Sequence, residues 1–266
     1  MNVKQSISST AVVGSGYMGG GIAQVLAIHG HAVRLGDVDE ITAQRSRTRL
    51  IAQAKEFEAQ GLMPAGAAET IEQNISSAAT IEDAVAEADY VTEAVLEVRE
   101  IKGDILRRIS SAAPSDAIIG TNTSAIPIGE LAESVINPER FIGVHWMNPV
   151  PFIPGVELIA GPKTAPQTLE VVEELITRLG KKPTRVADTP GFVANRLQFA
   201  LYKEAVQMVE DGVATPAQID AVVANSFGFR LSLFGPFAIG DMAGLDVYAG
   251  AFRTLEEAYG ERFAAP

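Results

Sequence analysis

Two residues near the middle of the chain have side chains suited to proton transfer. His145 ends an apolar run, residues 141–144, that is typical of a buried strand, and Glu157 lies in the next apolar segment, residues 156–159. A carboxylate among aliphatic side chains needs a partner, because an unpaired buried charge is unfavourable. A neighbouring histidine would be that partner, and the carboxylate would fix the imidazole tautomer and make the ring a better proton acceptor. We predict that the two form a general base; the alternative is a core histidine bonded to backbone, with the glutamate at a sheet edge.

His145 also stands where ligands bind in open α/β sheets, at the carboxyl end of a predicted strand. The chain has three histidines, and the other two, His29 and His31, flank Gly30 in a predicted surface turn. The absence of cysteine excludes disulfides, cysteine nucleophiles and thiolate metal sites, and we predict no metal site. The proton-transfer hypothesis therefore depends on His145.

A glycine-rich turn near the N-terminus has the order of elements that dinucleotide binding requires. Residues 10–13 predict a β-branched strand, residues 14–19 read Gly-Ser-Gly-Tyr-Met-Gly, and residues 20–28 predict a helix. The first glycine permits a tight bend, the second lets a pyrophosphate approach the backbone, and the third lets helix and strand pack closely. The helix N-terminus offers N–H groups to the phosphates. The predicted cofactor-binding residues here are Gly14, Gly16, Tyr17, Met18 and Gly19.

Asp37 ends the second predicted strand, residues 32–36. Its distance along the chain from the glycine turn is about that of the ribose-binding acid in dinucleotide-binding proteins. Its carboxylate would accept the ribose hydroxyls and would repel a 2′-phosphate, so the sequence favours NAD over NADP. The alternative is that Asp37 caps a helix or closes a turn.

Predicted strands and helices alternate through the first part of the chain, which is typical of an α/β protein. We predict a Rossmann-like, doubly wound, mostly parallel sheet over residues 1–187. Over residues 188–266, apolar residues recur three or four positions apart, which predicts an all-helical C-terminal domain. Its apolar composition leads us to expect packing on the sheet domain and on a second subunit. The further predicted strands are 88–95, 117–120 and 183–187, and the main further helices are 41–60, 65–75, 126–135, 166–179 and 241–259.

Polar residues follow the third and fourth predicted strands, at the predicted ligand end of the sheet. Glu97 and Lys102 come after the third strand, and Ser124 ends a polar loop after the fourth. By themselves, Glu97 and Lys102 are better explained as solvated helix charges, and Ser124 is also a candidate helix N-cap. Asn195 interrupts a mostly apolar predicted helix, and because a buried amide needs a partner, a ligand oxygen is a candidate.

Composition narrows the functional class. Of the 266 residues, 47% are hydrophobic and 20% are charged, which is typical of a globular protein of about two domains. The net charge of −12 argues against nucleic acid or an anionic membrane as a partner. No apolar run approaches the roughly 20 residues of a membrane span, and the N-terminal residues contain no apolar signal core. We expect a soluble, cytoplasmic protein that acts on a small molecule.

From about Thr10 to its C-terminus, the chain resembles the short-chain 3-hydroxyacyl-CoA dehydrogenase family. The His-x-x-Asn-Pro element and the later Gly-Phe-x-x-Asn-Arg element are far more specific signals than the glycine turn. The matching landmarks, in order, are residues 14–19, Asp37, residues 93–97 with Lys102, residues 121–124, His145 with Asn148 and Pro149, Glu157, and residues 190–196.

The resemblance implies reversible, NAD-dependent oxidation of an L-3-hydroxyacyl-CoA to a 3-ketoacyl-CoA in fatty acid or butanoate metabolism. It implies a homodimer, with an active site between the Rossmann-like domain and a helical domain that is shorter here than is usual. In this family pattern His145 is the base and Glu157 orients it. Ser124 and Asn195 hold the substrate oxygen. The residues implied to line the nicotinamide end are Glu97, Lys102, Ser124 and Asn148.

One departure from the family pattern concerns CoA. In CoA-using members, the helix after the second strand carries lysines that meet the CoA phosphates. Here residues 55–58, Lys-Glu-Phe-Glu, are half acidic, and only Arg45, Arg47 and Arg49 could take over that task. The sequence therefore leaves open whether the substrate is a CoA thioester.

A second departure points to another substrate. Residues 145–149, 160–168 and 241–246 are more similar to a relative that oxidises a pyridine-ring alcohol or aldehyde in vitamin B6 breakdown. The alternative to the acyl-CoA enzyme is therefore a dehydrogenase of a small non-CoA hydroxy acid or ring alcohol. A second alternative is a non-catalytic NAD-binding or structural protein, against which the complete set of predicted catalytic residues argues.

Overall fold

The structure, a computed structural model, describes residues 3–4 and 6–266. The chain divides into two compact units, Met1–Leu197 and Gln198–Pro266. The first unit holds an eight-stranded sheet with helices on both faces. The second unit, whose residues are all described, contains helices and no strand.

The sheet has the strand order β3-β2-β1-β4-β5-β6-β7-β8. Neighbouring strands run parallel except at the β6–β7 pair, and β8 runs parallel to β7. This confirms the predicted Rossmann-like, mostly parallel sheet. The strands are β1 (Ser9–Val13), β2 (Ala32–Gly36), β3 (Ile75–Ser77), β4 (Tyr90–Glu93), β5 (Ile118–Thr121), β6 (Phe141–Trp146), β7 (Gly155–Ile159) and β8 (Lys182–Val186).

Seven helices lie within the first unit, and an eighth, α8, begins in it and ends in the second. Because α8 crosses the division between the units, the predicted domain boundary after residue 187 stays a prediction. In order, the helices are α1 (Tyr17–Ile28), α2 (Glu40–Ala59), α3 (Ala67–Asn74), α4 (Ile81–Val85), α5 (Arg99–Ala112), α6 (Ile128–Leu131), α7 (Pro166–Arg178), α8 (Ala194–Glu210), α9 (Pro216–Asn225), α10 (Phe227–Leu231), α11 (Pro236–Ala243) and α12 (Leu245–Tyr259).

Several elements differ from the sequence-based expectation. α10 is not predicted, and the predicted helix 241–259 is divided into α11, which begins earlier at Pro236, and α12. β3 and α4 are not predicted, because three or five residues are too short to show periodicity. The predicted helix 126–135 is reduced to α6 and one 3₁₀ turn, Ala132–Ser134. Pro127 explains this shortening, since the residue before a proline is disfavoured in the α-helical region.

Side chains of each strand alternate between two hydrophobic cores, one on each face of the sheet. In β6, Val144 and Trp146 belong to the core that also contains residues of α1 and α7. Phe141 belongs to the core on the opposite face, which also contains Phe192. His145 has the same parity along the strand as Phe141, so its imidazole lies on the face that Phe192 covers.

The helices of the second unit expose apolar side chains, and a side-chain cap is present at α9. Thr215 and Gln218 form a capping box at the start of α9. α8, α9, α10 and α12 contain no buried residue. Throughout the described residues, no helix combines the length and apolarity that would let it cross a membrane.

Candidate active site

The glycine turn after β1 is tight at its ends and open in its middle. Gly14 has a φ of +90°, and a Cβ atom there would lie 2.7 Å from the carbonyl carbon of Ala94. A Cβ atom on Gly19 would lie 1.9 Å from the carbonyl oxygen of Gly14. At Gly16 nothing lies within 4 Å of that position. The turn therefore packs as expected, with free space where a pyrophosphate would approach the backbone.

The first turn of α1 has room for an anion. Gly16 is its N-cap and forms no side-chain cap, and no acidic residue lies in the first turn. The N–H groups of Tyr17 and Met18 lie in this uncapped turn, and a helix N-terminus attracts negative charge. Together with the open space at Gly16, this arrangement fits the pyrophosphate of NAD.

Asp37 is held against the same turn. Its Oδ2 atom accepts hydrogen bonds from the backbone N–H of Ser15, at 2.8 Å, and from the Ser15 hydroxyl. Its Oδ1 atom accepts from the N–H of Val38 at 2.8 Å. Asp37 is not the cap of α2, because Asp39 has that role and accepts a hydrogen bond from the N–H of Thr42. The position of Asp37 is thus compatible with ribose binding, which stays a prediction.

His145 and Glu157 are direct partners across the antiparallel β6–β7 pair. The imidazole Nδ1 lies 2.8 Å from the Glu157 Oε2 atom. Both residues are buried, at 4% and 6% exposure. The predicted carboxylate–imidazole pair is therefore present, and both alternatives named for it, a backbone-bonded histidine and an edge glutamate, differ from the observed geometry.

The second carboxylate oxygen of Glu157 is fixed by the chain just before and at the start of α8. Its Oε1 atom accepts hydrogen bonds from the backbone N–H groups of Val193, at 3.0 Å, and Ala194, at 2.9 Å. Gly191 and Phe192 precede them with φ values of +74° and +47°, in the left-handed region. This bend aims two N–H groups at one carboxylate.

Phe192 also covers the imidazole. Its ring centroid lies 5.6 Å from that of His145, and the residue is 1% exposed. A phenylalanine with positive φ is uncommon, and such backbone strain is concentrated at functional sites. Phe192 is not among the predicted site residues, although it follows the Pro-Gly pair at 190–191 that marks a sharp bend.

The electrostatics of the pair leave one imidazole nitrogen free. Burial raises the pKa of Glu157, but hydrogen bonds from His145 and from the N–H groups of Ala194 and Val193 outweigh burial and hold that pKa below its usual value. The carboxylate is therefore charged at neutral pH, and it accepts a hydrogen bond from the protonated Nδ1 of His145. The lone pair then lies on Nε2, which is the atom able to take a substrate proton.

Ser124 and Asn195, the two predicted substrate-oxygen residues, touch each other. The side-chain amide of Asn195 donates to the backbone carbonyl of Ser124 at 3.1 Å. Ser124 is not the N-cap of α6, which begins at Ile128 after Pro127. The partner that the Asn195 amide finds is thus a backbone oxygen, and contact of either residue with substrate stays a prediction.

Lys102 is not a solvated helix charge, and Glu97, although exposed, is held by the neighbouring loop. Lys102 is fully buried, and its Nζ atom lies 2.9 Å from Glu93 Oε1 and 3.3 Å from Glu97 Oε2. Glu97 Oε1 accepts from the Thr123 hydroxyl at 2.6 Å and from the N–H of Ser124 at 2.8 Å. These charges therefore tie the end of β4 to the loop that carries Ser124. Their predicted contact with the nicotinamide remains a prediction.

Sequence reasoning missed two anchors of this region. Glu93, fully buried at the end of β4, also accepts from the Thr121 hydroxyl at 2.6 Å. Lys181 is buried beside the β6–β7 connection, which contains the exposed Asn148, and donates to three backbone carbonyls there. Its partners are Val150 at 2.7 Å, Pro151 at 3.1 Å and Ile153 at 2.8 Å. The available signal for Glu93 was a charged residue inside an apolar stretch, and the sequence around Lys181 offered no such signal.

The glycine turn and the imidazole–carboxylate pair both lie at the carboxyl edge of a Rossmann-like sheet, because β1 and β6 run in the same direction. This combination is typical of NAD-dependent oxidoreductases. Residues 9–189 match the family described as 3-hydroxyacyl-CoA dehydrogenase, NAD binding domain, and residues 191–266 match its C-terminal domain. The chain belongs to the 3-hydroxyacyl-CoA dehydrogenase family and is an NAD-dependent oxidoreductase of that type.

Individual relatives differ in substrate. The chain is 41% identical to 5-formyl-3-hydroxy-2-methylpyridine 4-carboxylate 5-dehydrogenase of Mesorhizobium japonicum, over 91% of this chain and 78% of that protein. It is 36% identical to 3-hydroxybutyryl-CoA dehydrogenase of Clostridioides difficile, over 94% and 88%. A crystal structure of the pyridine enzyme, described as an NAD⁺ dependent dismutase, has a TM-score of 0.84 at 39% identity, covering 95% of this chain and 81% of that one.

Proposed function

We propose that this protein oxidises a hydroxyl group of a small, non-CoA substrate with NAD, and that His145 is the base. The substrate is a hydroxy acid, a ring alcohol or an aldehyde in its hydrated form. The observation that carries the oxidation itself is the buried pair of His145 and Glu157, 2.8 Å apart, with the remaining carboxylate oxygen bound by two backbone N–H groups.

In this proposal each residue has a separate task. Nε2 of His145 takes the hydroxyl proton, and the charged Glu157 stabilises the imidazolium that forms. Ser124 and Asn195 position the substrate oxygen as hydrogen-bond donors. Bound NAD supplies the hydride acceptor. Phe192 shields the imidazole from water on the face where its ring lies.

The distribution of cations supports a substrate without CoA. Of the three arginines that could meet CoA phosphates, Arg47 donates to the carbonyls of Glu72 and Ile75, and Arg49 to those of Ser15 and Gly16. Arg45 remains exposed.

The nearby lysine is also engaged. Lys55 lies 3.7 Å from Glu72, and Glu58 beside it accepts N–H groups of Gly66 and Ala68. On this surface, only Arg45 and the remaining N–H groups of Arg49 are then left for a nucleotide that carries several phosphates. Similarity to the pyridine carboxylate dehydrogenase points the same way.

Oxidation of an L-3-hydroxyacyl-CoA is the second candidate. The family match over residues 9–266 and the 36% identity to a 3-hydroxybutyryl-CoA dehydrogenase favour it. The same four residues would perform the same proton transfer, so the two candidates differ only in what binds beyond the reacting carbon.

A parallel assay separates the candidates. NADH formation is followed with 3-hydroxybutyryl-CoA, with free 3-hydroxybutyrate and with pyridine-ring alcohols and aldehydes that carry a carboxylate. The proposal expects turnover of a non-CoA compound at a kcat/KM at least about tenfold above that of the thioester. The reverse order would establish the CoA candidate. No turnover of any compound above that of a His145→Ala control would remove both.

We also propose that the second unit is covered by a second copy of the chain, giving a homodimer. In support, four of its helices contain no buried residue, and Phe199, Tyr202 and Phe229 are 64%, 66% and 68% exposed. Exposed apolar side chains grouped in this way are typical of protein interfaces. Light scattering at micromolar concentration is expected to give the dimer mass, and a monomer would contradict the proposal.

A further inference from the structure

One arginine of α2 contacts the glycine turn directly. The Arg49 Nη2 atom donates to the carbonyl oxygen of Ser15 at 2.8 Å and lies 3.4 Å from that of Gly16. A Cβ atom placed on Gly20 would lie 3.3 Å from the same nitrogen. The guanidinium group therefore lies along the turn and the first turn of α1, and the residue is exposed to solvent.

Among the charged side chains near this turn, Arg49 is the cation that contacts it. Within residues 3–4 and 6–266, no other lysine or arginine side chain hydrogen-bonds any residue of 14–19. Asp37 accepts hydrogen bonds from the N–H and hydroxyl of Ser15. Lys102 lies between Glu93 and Glu97. A diphosphate approaching Gly16 would thus meet one carboxylate and one guanidinium.

We propose that Arg49 supplies the positive charge that binds the diphosphate of NAD in this protein. A guanidinium has five N–H donors, so the bond to Ser15 leaves others for phosphate oxygens. By donating to the carbonyls of Ser15 and Gly16, Arg49 also reduces their repulsion of the anion. In a chain with a net charge of −12, a local cation is needed to attract an anionic cofactor.

The binding experiment uses the full chain and needs no turnover. Affinities of NADH, ADP-ribose, adenosine and NADPH are measured by fluorescence and by competition against NADH. The proteins are wild type, Arg49→Ala, Arg49→Lys and Arg178→Ala. Arg178, on α7, pairs with Glu174 on the surface and serves as the control for net charge. Thermal unfolding without ligand checks that each variant is folded.

The proposal expects Arg49→Ala to weaken ADP-ribose and NADH by about tenfold, which is the scale of one charged hydrogen bond. Adenosine, which lacks phosphate, is expected to bind as before. Arg49→Lys is expected to recover most of the affinity, and the loss is expected to shrink as salt is raised, because the group is exposed. Arg178→Ala is expected to match wild type.

Three results would overturn the proposal. One is ADP-ribose binding to Arg49→Ala within about twofold of wild type. Another is an equal loss for adenosine and ADP-ribose, which would show that Arg49 only holds the shape of the turn. The last is a loss confined to NADPH, which would assign Arg49 to a 2′-phosphate.

Discussion

The cofactor half and the proton-transfer half of the site are built in opposite ways. The glycine turn requires residues without a side chain, because a Cβ atom on Gly14 or Gly19 would overlap the backbone. At the His145–Glu157 pair, function depends on two side chains that are hydrogen-bonded to each other, with the carboxylate held by two further N–H groups. The first half is therefore damaged by adding a methyl group, and the second by removing a functional group. Substitutions should separate the two halves.

The largest expected effect on turnover is that of His145→Ala. Loss of the general base should lower kcat by about 10³-fold, while NADH affinity stays within about twofold of wild type. The matched control is His29→Ala, an exposed histidine whose ring bonds only the carbonyl of Val25, and it should leave both values unchanged. A loss of NADH affinity as large as the loss of kcat would show that the halves are not separate.

Replacing Gly16 or Gly19 with alanine should have different effects on NADH affinity and on the stability of the protein. Gly16→Ala has free space and an ordinary φ of −63°, so the protein should keep its unfolding temperature but bind NADH about tenfold or more weakly. Gly19→Ala places a Cβ 1.9 Å from the Gly14 carbonyl oxygen and should also cost about 1–3 kcal/mol of stability. Calorimetry with and without NADH measures both. Unchanged NADH affinity in Gly16→Ala would place the pyrophosphate elsewhere.

Glu97→Ala tests a residue between the two halves. Burial raises the pKa of Glu97, but the Thr123 hydroxyl, Lys102 and loop N–H groups outweigh it and keep the pKa below its usual value. Loss of this charged acceptor should loosen the Ser124 loop and raise the substrate KM about tenfold, with little change in NADH affinity. A raised Kd for NADH with an unchanged substrate KM would support instead the predicted place of Glu97 at the nicotinamide.

Asp89→Asn should have the smallest effect on the site. Burial raises the pKa of Asp89, but the N–H groups of Ser9 and Ser8 and the Lys4 ammonium group outweigh it, so its pKa lies well below the usual value. Its contribution to stability is therefore present at neutral pH and is lost as the pH falls below about 4.

The substitution at Asp89 should accordingly cost about 1–2 kcal/mol at pH 7. Urea unfolding across pH should show wild type and variant converging in acid. Turnover and NADH affinity at pH 7 should stay unchanged, because Asp89 holds the amino ends of β1 and β4, at the edge of the sheet opposite to the glycine turn. A constant difference across pH would contradict the charge-based account.

The same contrast explains what the sequence could predict. The glycine turn is a local feature, so its spacing alone predicted its conformation. His145 and Glu157 are twelve residues apart and meet only because β6 and β7 pair antiparallel, yet their types and the two apolar runs were enough to predict the contact. The glycine turn could be predicted from local spacing, and the His145–Glu157 contact from the cost of leaving a buried charge unpaired.

Networks among distant residues were beyond sequence reasoning. The buried Lys102 pairs with the buried Glu93 and the exposed Glu97, whereas a helix pattern by itself favours solvated charges. Phe192 adopts a left-handed conformation that its residue type disfavours, and only the tertiary contact with His145 shows why it is there. Such features depend on packing, which sequence spacing does not encode.

The central claim, that His145 and Glu157 act as one unit, is tested most directly by a double-mutant cycle on kcat. Glu157→Gln keeps the size of the side chain and removes its charge. The account predicts a loss of about 10- to 100-fold in wild type and no further loss when the same change is made in His145→Ala. An equal loss in both backgrounds would show that Glu157 acts independently of the imidazole and would contradict the claim.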